Sequence, residues 1–398
     1  MDLYLRDPQK WQELYSCEYL NQTQWNQEGV PNLLLGSFYL YVGLFFIVLY
    51  VMCIGVMCQK QFRRHSCLKI MINIGLMDMG NLIVNSVFTG YMTIIGGVYC
   101  THPLANYVLG AWVMCAWTNC STSSLLLSLN RVLELLFPKR MDDLFGGYKI
   151  FLWLLIPYLE GLYFLIYSPA PMFSSKSYGW FFDPYFGMDF IPVDRDYFHN
   201  TWAHSVHNIG TSVLFAFLYA IHISAMWWKT RSSNNENMSK TRRTLFIQSI
   251  LICSLNFSAS VTYVYIEHID PPRLLVIVAH ALWIGCNCGA VIIYLTVNRT
   301  IRREFVKLFV PKKYISMSNF GASNSAKSAL EASNFSSLLF PRCLTWLANH
   351  ENQGDGEKRA NASPAATVTR TCSVKDTASG YFVTHARTDT SGSFSFIS

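Results

Sequence analysis

The sequence predicts an all-α membrane protein, a bundle of seven transmembrane helices with its N-terminus outside. Three observations predict it. The 398-residue chain is 52% hydrophobic and only 14% charged, with a mean hydropathy of +0.23, whereas a soluble domain carries about 25% charge. Seven stretches supply the roughly 20 apolar residues that a helix needs to cross a bilayer. The basic residues divide unevenly between the connections of those stretches.

Residues 1–32 are polar and begin Met-Asp, so no cleavable signal peptide is read there, and this segment is expected outside the membrane. The spans of the bundle, 33–297, follow as Leu33–Cys58, Leu68–Ile95, Leu104–Phe137, Lys149–Ser168, Ala203–Trp228, Leu245–Glu267 and Leu274–Val297. The fourth is the weakest of the seven, because it carries Pro157 and Glu160. Lys and Arg remain with cytoplasmic connections. One set of connections, with residues 298–313 after the last span, holds nineteen, among them Arg63, Arg64, Lys139, Arg140, Arg242, Arg302 and Arg303. The opposite set holds five: Arg6, Lys10, Lys176, Arg195 and Arg273. The C-terminus is therefore expected inside, and the net charge of +7 reports topology. No basic patch interleaved with aromatics points to nucleic acid.

Past the seventh span, residues 298–311 carry Ile301, Phe305, Leu308 and Phe309 on one helical face, with Arg302, Arg303 and Lys307 off it. This pattern predicts an amphipathic helix along the inner surface, stopped by Pro311. Residues 312–398 turn to Ser, Thr, Asn, Ala and Gly, a composition that buries no core and reads as a disordered cytoplasmic tail suited to phosphorylation. On the outer side, the connection Pro169–Trp202 is rich in aromatics ("YGWFFDPYF", 178–186), which fits a folded lid or a membrane-interface belt equally.

Of twelve cysteines only Cys17 and Cys100 fall in outer, oxidising territory. They are expected to form a disulfide, the alternative being two unpaired thiols. The outer sequon is Asn21-Gln-Thr, a candidate glycan site; Asn119-Cys-Ser and Asn256-Phe-Ser lie within spans.

The third span raises the sharpest question, since "LLLSLNRVLELLFPKR" places Asn130-Arg131 in a run of leucines. Arginine at the centre of a bilayer costs roughly 2.5–3.5 kcal/mol or more. However, 34 residues make a helix of about 51 Å at 1.5 Å per residue, longer than the roughly 30 Å hydrocarbon core. With Cys100 at the outer end, Arg131 reaches the inner surface, where Glu134 three residues on can pair with it. Taken alone, this is an inner-surface ion pair. Asp78, mid-span in "GLMDMGN", is a different matter: a buried carboxylate must be paired, protonated or ion-bound, which makes it a functional candidate beside the reading of a packing hub. Glu160 reads as a structural hydrogen-bond partner.

His204-x-x-His207 supplies two metal ligands without a third at fixed spacing, so no metal site is expected. No HExxH, GxSxG, P-loop or dinucleotide fingerprint is present, and span seven has no lysine for a retinal Schiff base. Neither an enzyme nor a cofactor is expected. A small-molecule pocket would occupy the outer half of the bundle. Tyr107, Trp112, His204, His207, Asn208, Tyr263, His280 and Trp283 lie at suitable depths, with their facing undetermined.

Several motifs resemble one family. "YSCEY" at 15–19 and "WNQEGVPNLLLGSFYLYVG" at 25–43 precede "HSCLKIMINIGLMD" at 65–78. Thr89-Gly90, Cys100 and Pro103 follow, then "LNRVLEL" at 129–135, "LFGGYK" at 144–149, "WFFDP" at 180–184 and "IYLTVNRTIRREF" at 293–305. Over about residues 15–310 the chain resembles the nematode serpentine receptor class T chemoreceptors, a G-protein-coupled receptor-like family. The resemblance implies a chemical ligand in the outer half of the bundle and a heterotrimeric G protein at the inner mouth. It assigns Arg131, Asn130, Glu134, Arg302 and Arg303 to coupling. It makes Asp78 the centre of a switch or ion site, with Asn119, Ser121, Asn287 and Tyr294 as candidate partners. It further implies the plasma membrane of a sensory cilium, and arrestin-like proteins and kinases acting on the tail. Compared with the wider rhodopsin-like class, Asn130 replaces the acid before the arginine, so an inactivating bridge would use Glu134. No proline precedes Tyr294 or kinks "NFSASVTYVY", and the second outer loop has no cysteine. The alternatives are a ligand-gated channel or transporter with the opposite orientation, a seven-span metallohydrolase, and an orphan receptor for an endogenous ligand.

Overall fold

The computed structural model describes residues 2–62, 65–199, 201–232, 251, 254–266 and 271–309. The expected tail 312–398, Pro311, residues 245–250, 252, 253 and 267 of span six, and Arg63, Arg64, Arg242 and Arg243 lie outside the described residues. Among the described residues the architecture is helical, with one short hairpin.

Among the described residues, five helices are long and apolar enough to cross a membrane. Span one is Leu33–Met57, span two Ser66–Ile95, span four Lys149–Tyr167, and span seven Arg273–Thr296; span five is the helix Trp202–Ser232. Span three, Pro103–Leu136, is the longest at 34 residues. It is more polar, burying Asn106, Thr118, Asn119, Ser121, Ser123, Ser124, Ser128 and Asn130. The reason is its position: it packs against spans two, four and five, so its polar side chains meet helices and not lipid. Residues 254–266 of span six are helical.

Span one begins at Asn32, whose Oδ1 accepts from the Leu35 backbone N–H at 3.0 Å and so caps an otherwise orphaned donor. Leu33, Leu34, Phe38, Tyr41 and Val48 are exposed along it, whereas Tyr39, Tyr50, Cys53 and Met57 are buried. An apolar exterior of this kind suits hydrocarbon. Spans one and two approach closely through two glycines: a Cβ at Gly36 would lie 2.6 Å from the Gly90 carbonyl oxygen, and a Cβ at Gly90 would lie 2.7 Å from that of Gly36. Close helix contact through small residues is how bundles pack where lipid removes the hydrophobic drive. Span two is interrupted by a π-helical turn, Ile83–Phe88.

One end of the bundle is covered by folded polypeptide. The short helices Asp2–Arg6, Pro8–Tyr15 and Gln22–Glu28 meet the connection after span four, which forms an antiparallel hairpin of Met172–Ser174 with Gly179–Phe181. Leu14, Tyr15, Trp25, Tyr99, Tyr107, Tyr185 and Phe198 share one buried cluster there. Cys17 and Cys100 are joined in a disulfide with their Cα atoms 5.6 Å apart. Lys176 Nζ pairs with Glu28 Oε2 at 2.7 Å, Ser175 Oγ accepts from Val30 N–H at 3.1 Å, and Tyr185 donates to the Ser16 carbonyl at 2.7 Å. The aromatic loop is thus a lid latched to the N-terminal segment. Asn21 is exposed and caps Gln22–Glu28 through Oδ1, which accepts from Gln24 N–H at 2.9 Å.

At the other end the helix Arg299–Lys307 follows span seven and packs against spans seven and one. Its expected apolar face is divided: Ile301 and Phe305 are buried, whereas Leu308 and Phe309 are exposed.

Candidate functional site

Beneath the lid lies a cavity of about 620 Å³, within the range of small-molecule sites. Trp117, Trp180, Trp202 and Trp283 line it together with Phe182 and Tyr263. Its polar pole is set by a relay. Trp117 Nε1 donates to Asn208 Oδ1 at 3.0 Å, and the Asn208 amide nitrogen lies 2.9 Å from His204 Nε2. An indole N–H only donates, so it fixes the amide with its oxygen toward Trp117 and its NH₂ toward His204. His204 Nε2 is therefore the acceptor, and a neutral ring carries its proton on Nδ1. Asp183, at the mouth, is held by Arg195 at 2.5 Å and accepts from Tyr185 N–H at 2.8 Å. Burial raises its pKa above the usual carboxylate value, against the pull of those two partners.

Of the eight residues expected near a pocket, His204, Asn208, Tyr263 and Trp283 line this cavity. The other four have different neighbours. Tyr107 stacks edge-on with Trp11 and Tyr15 in the lid cluster, and Trp112 packs over Gly80 of span two. His207 Nδ1 pairs with Glu160 Oε1 at 2.8 Å, and the Thr122 hydroxyl donates to the other carboxylate oxygen. His280 Nε2 lies 2.8 Å from the Asn85 carbonyl. Trp117 and Trp180 were not singled out from the sequence, because an indole in an apolar span or an aromatic loop carries no pattern of its own.

Below the cavity a polar seam runs between spans two and seven. Asn81 Nδ2 donates to Asn287 Oδ1 at 3.2 Å, and Asn287 Nδ2 donates to the Trp283 carbonyl at 3.0 Å. Asp78 is fully enclosed: Oδ2 lies 2.7 Å from the Tyr50 hydroxyl, and Oδ1 takes the Cys120 thiol at 3.2 Å. The same Tyr50 oxygen lies 2.6 Å from the Asn287 carbonyl, so Tyr50 joins spans one, two and seven. Asn287 therefore reaches Asp78 through Tyr50. Asn119 sits in a separate cluster, accepting from Asn73 at 2.9 Å. Ser121 bonds back to the Trp117 carbonyl, and the buried Tyr294 hydroxyl has no partner among the described residues. Tyr50→Phe removes the hydroxyl that bridges Asp78 and the Asn287 carbonyl and leaves buried polar atoms unpaired, which costs about 1–3 kcal/mol. The expected result is a lower melting temperature of the purified protein, with Asp78→Asn in the same background restoring part of it.

At the far end of span three, Arg131 Nη1 pairs with Glu134 Oε2 at 2.7 Å; Arg131 is 11% exposed and Glu134 49%. Asn130 is buried and donates to Ser66 Oγ at 3.2 Å, which ties it to the start of span two. Arg302 donates to the Thr296 carbonyl at 2.5 Å, and Arg303 contacts Glu304 at 3.4 Å. Arg131 is thus presented at the end of the bundle opposite the lid. No group of three or more metal-ligating side chains occurs among the described residues.

The bundle thus has a covered, aromatic cavity at one end and a span-three arginine at the other. Residues 4–318 match the family described as Serpentine type 7TM GPCR chemoreceptor Srt. The chain belongs to this family. It is also similar to serpentine receptor class T-55 of Caenorhabditis elegans, at 26% identity over 300 residues, covering 74% of this chain and 80% of that one. The protein is accordingly a multi-pass membrane protein of a chemoreceptor family, and that family is not one of enzymes.

Proposed function

We propose that this Srt-family protein is a chemosensory receptor whose lid end faces outward, at the plasma membrane of a sensory cilium. A small chemical cue enters the cavity beneath the lid and shifts the bundle toward the conformation that it fits better. The end bearing Arg131 then engages a heterotrimeric G protein, with Asn130, Glu134, Arg302 and Arg303 forming the rest of the contact. The tail 312–398 would take kinases and arrestin-like proteins. Asn21 carries the glycan.

One observation carries this reading: the cavity wall and the polar seam share span seven. Trp283 lines the cavity, its carbonyl accepts from Asn287, and Asn287 reaches Asp78 through Tyr50. A ligand that moves Trp283 therefore moves the seam. The test uses cells expressing the protein with a G protein that reports dissociation by energy transfer, challenged with a panel of small organic cues. A responding compound is expected to lose its effect on Asn208→Leu, with surface level unchanged. Equal responses from wild type and Asn208→Leu would remove the cavity from the account.

A further inference from the structure

The seam holds an arrangement that the receptor reading does not use. Asn85, His280, Tyr39 and Trp283 converge from spans one, two and seven just below the cavity, and all four are buried. The His280 ring lies 5.0 Å from that of Tyr39 and 5.6 Å from that of Trp283. Trp283 also forms part of the cavity wall. Five polar atoms here have no hydrogen-bond partner among the described residues: Asn85 Nδ2 and Oδ1, His280 Nδ1, the Tyr39 hydroxyl and Trp283 Nε1. Native structures keep few such groups, so a cluster of them marks a place where something else bonds.

The π-helical turn Ile83–Phe88 explains why they gather. Such turns free backbone carbonyls and often mark functional sites. The Val84 carbonyl is taken by the Thr89 hydroxyl at 3.0 Å, and Thr89 in turn accepts from Trp180 Nε1 of the lid at 2.9 Å. The Asn85 carbonyl is taken by His280 Nε2. A carbonyl only accepts, so Nε2 carries the proton, and a neutral ring leaves a lone pair on Nδ1.

We propose that Asn85, His280 and Tyr39, buried behind the cavity wall at Trp283, form with Trp283 a polar subsite for the uncharged end of the cue, a group that both donates and accepts, such as an amide or hydroxyl. This rests on the cavity being the ligand site. Trp283 Nε1 and Asn85 Nδ2 donate, His280 Nδ1 and Asn85 Oδ1 accept, and the Tyr39 hydroxyl does either. A carboxylate, which only accepts, meets two acceptors. An ammonium, which only donates, meets the indole and amide N–H groups. Neither ion finds a countercharge among these four residues, and an unpaired charge is excluded from such a setting.

The test is direct binding to the full-length protein in lipid nanodiscs at neutral pH, read by thermal stabilisation. The probes are octanamide, octanoate and octylammonium, which share one tail. Octanamide is expected to half-saturate at a concentration about tenfold below either ion, the worth of about one net hydrogen bond. Asn85→Leu is expected to abolish that preference. Tyr39→Phe removes only an unpartnered hydroxyl, so it is expected to narrow the preference without lowering the ligand-free melting temperature. Equal binding of the three probes, or binding of none, overturns the proposal and leaves ordered water as the partner of these atoms. A preference unchanged in Tyr39→Phe and in folded Asn85→Leu also overturns it. No G protein is present, so octanamide that binds here yet elicits no signal in cells would count against the receptor reading alone.

Discussion

Arg131→Ala is expected to reach the cell surface at the wild-type level and to give no G-protein response to any cue that activates the wild type. The separation of these two effects follows from magnitudes. Arg131 and Glu134 form an i,i+3 pair in which the carboxylate is half exposed, and such helical pairs contribute only about 0.2–0.5 kcal/mol. Asn130, by contrast, is buried against Ser66, a tie between spans three and two that the substitution leaves in place. The fold therefore tolerates the loss, and a missing signal would belong to the interface. Surface labelling alongside energy-transfer measurement of G-protein dissociation checks both halves. Intact signalling in this variant would return Arg131 to the role of a structural ion pair.

Cys17→Ser is expected to give the largest loss of stability, about 2–5 kcal/mol, because the bond closes a long loop in the unfolded chain. Its partners are 83 residues apart, and the bridge anchors the segment that carries Tyr15 and Trp25 into the lid cluster. Reduction of the wild type should lower the melting temperature as far as the substitution does, and should change the variant little. A substitution without effect on melting would mean that Lys176–Glu28 and the Tyr185–Ser16 bond hold the lid unaided.

The seven-helix class was legible because membrane crossing imposes a length and a composition that no soluble fold shares. The disulfide was legible for a related reason, since topology left Cys17 and Cys100 alone on one side. The facing of individual residues was not legible. In a soluble helix the polar face marks the outside, but here lipid and core are both apolar, so the phase of a buried polar group leaves no trace. His204 and His207 are three residues apart, yet the first lines the cavity while the second pairs with Glu160. Tyr50 stood unremarked in "LFFIVLYVMC", although its hydroxyl joins Asp78 to span seven. The π-helical turn has no sequence signature at all; only the geometry of Thr89 and His280 around it reveals what it displays.

Orientation is the most direct test of the central claim, that a cue arrives at the lid end and a G protein at the arginine end. Different epitope tags at the two termini, stained in intact and then in permeabilised cells, read it without a ligand. The account requires the N-terminal tag alone to be reached in intact cells, which places Arg131 in the cytosol. If the C-terminal tag alone is reached, Arg131 faces away from any G protein, and a channel or transporter reading takes its place.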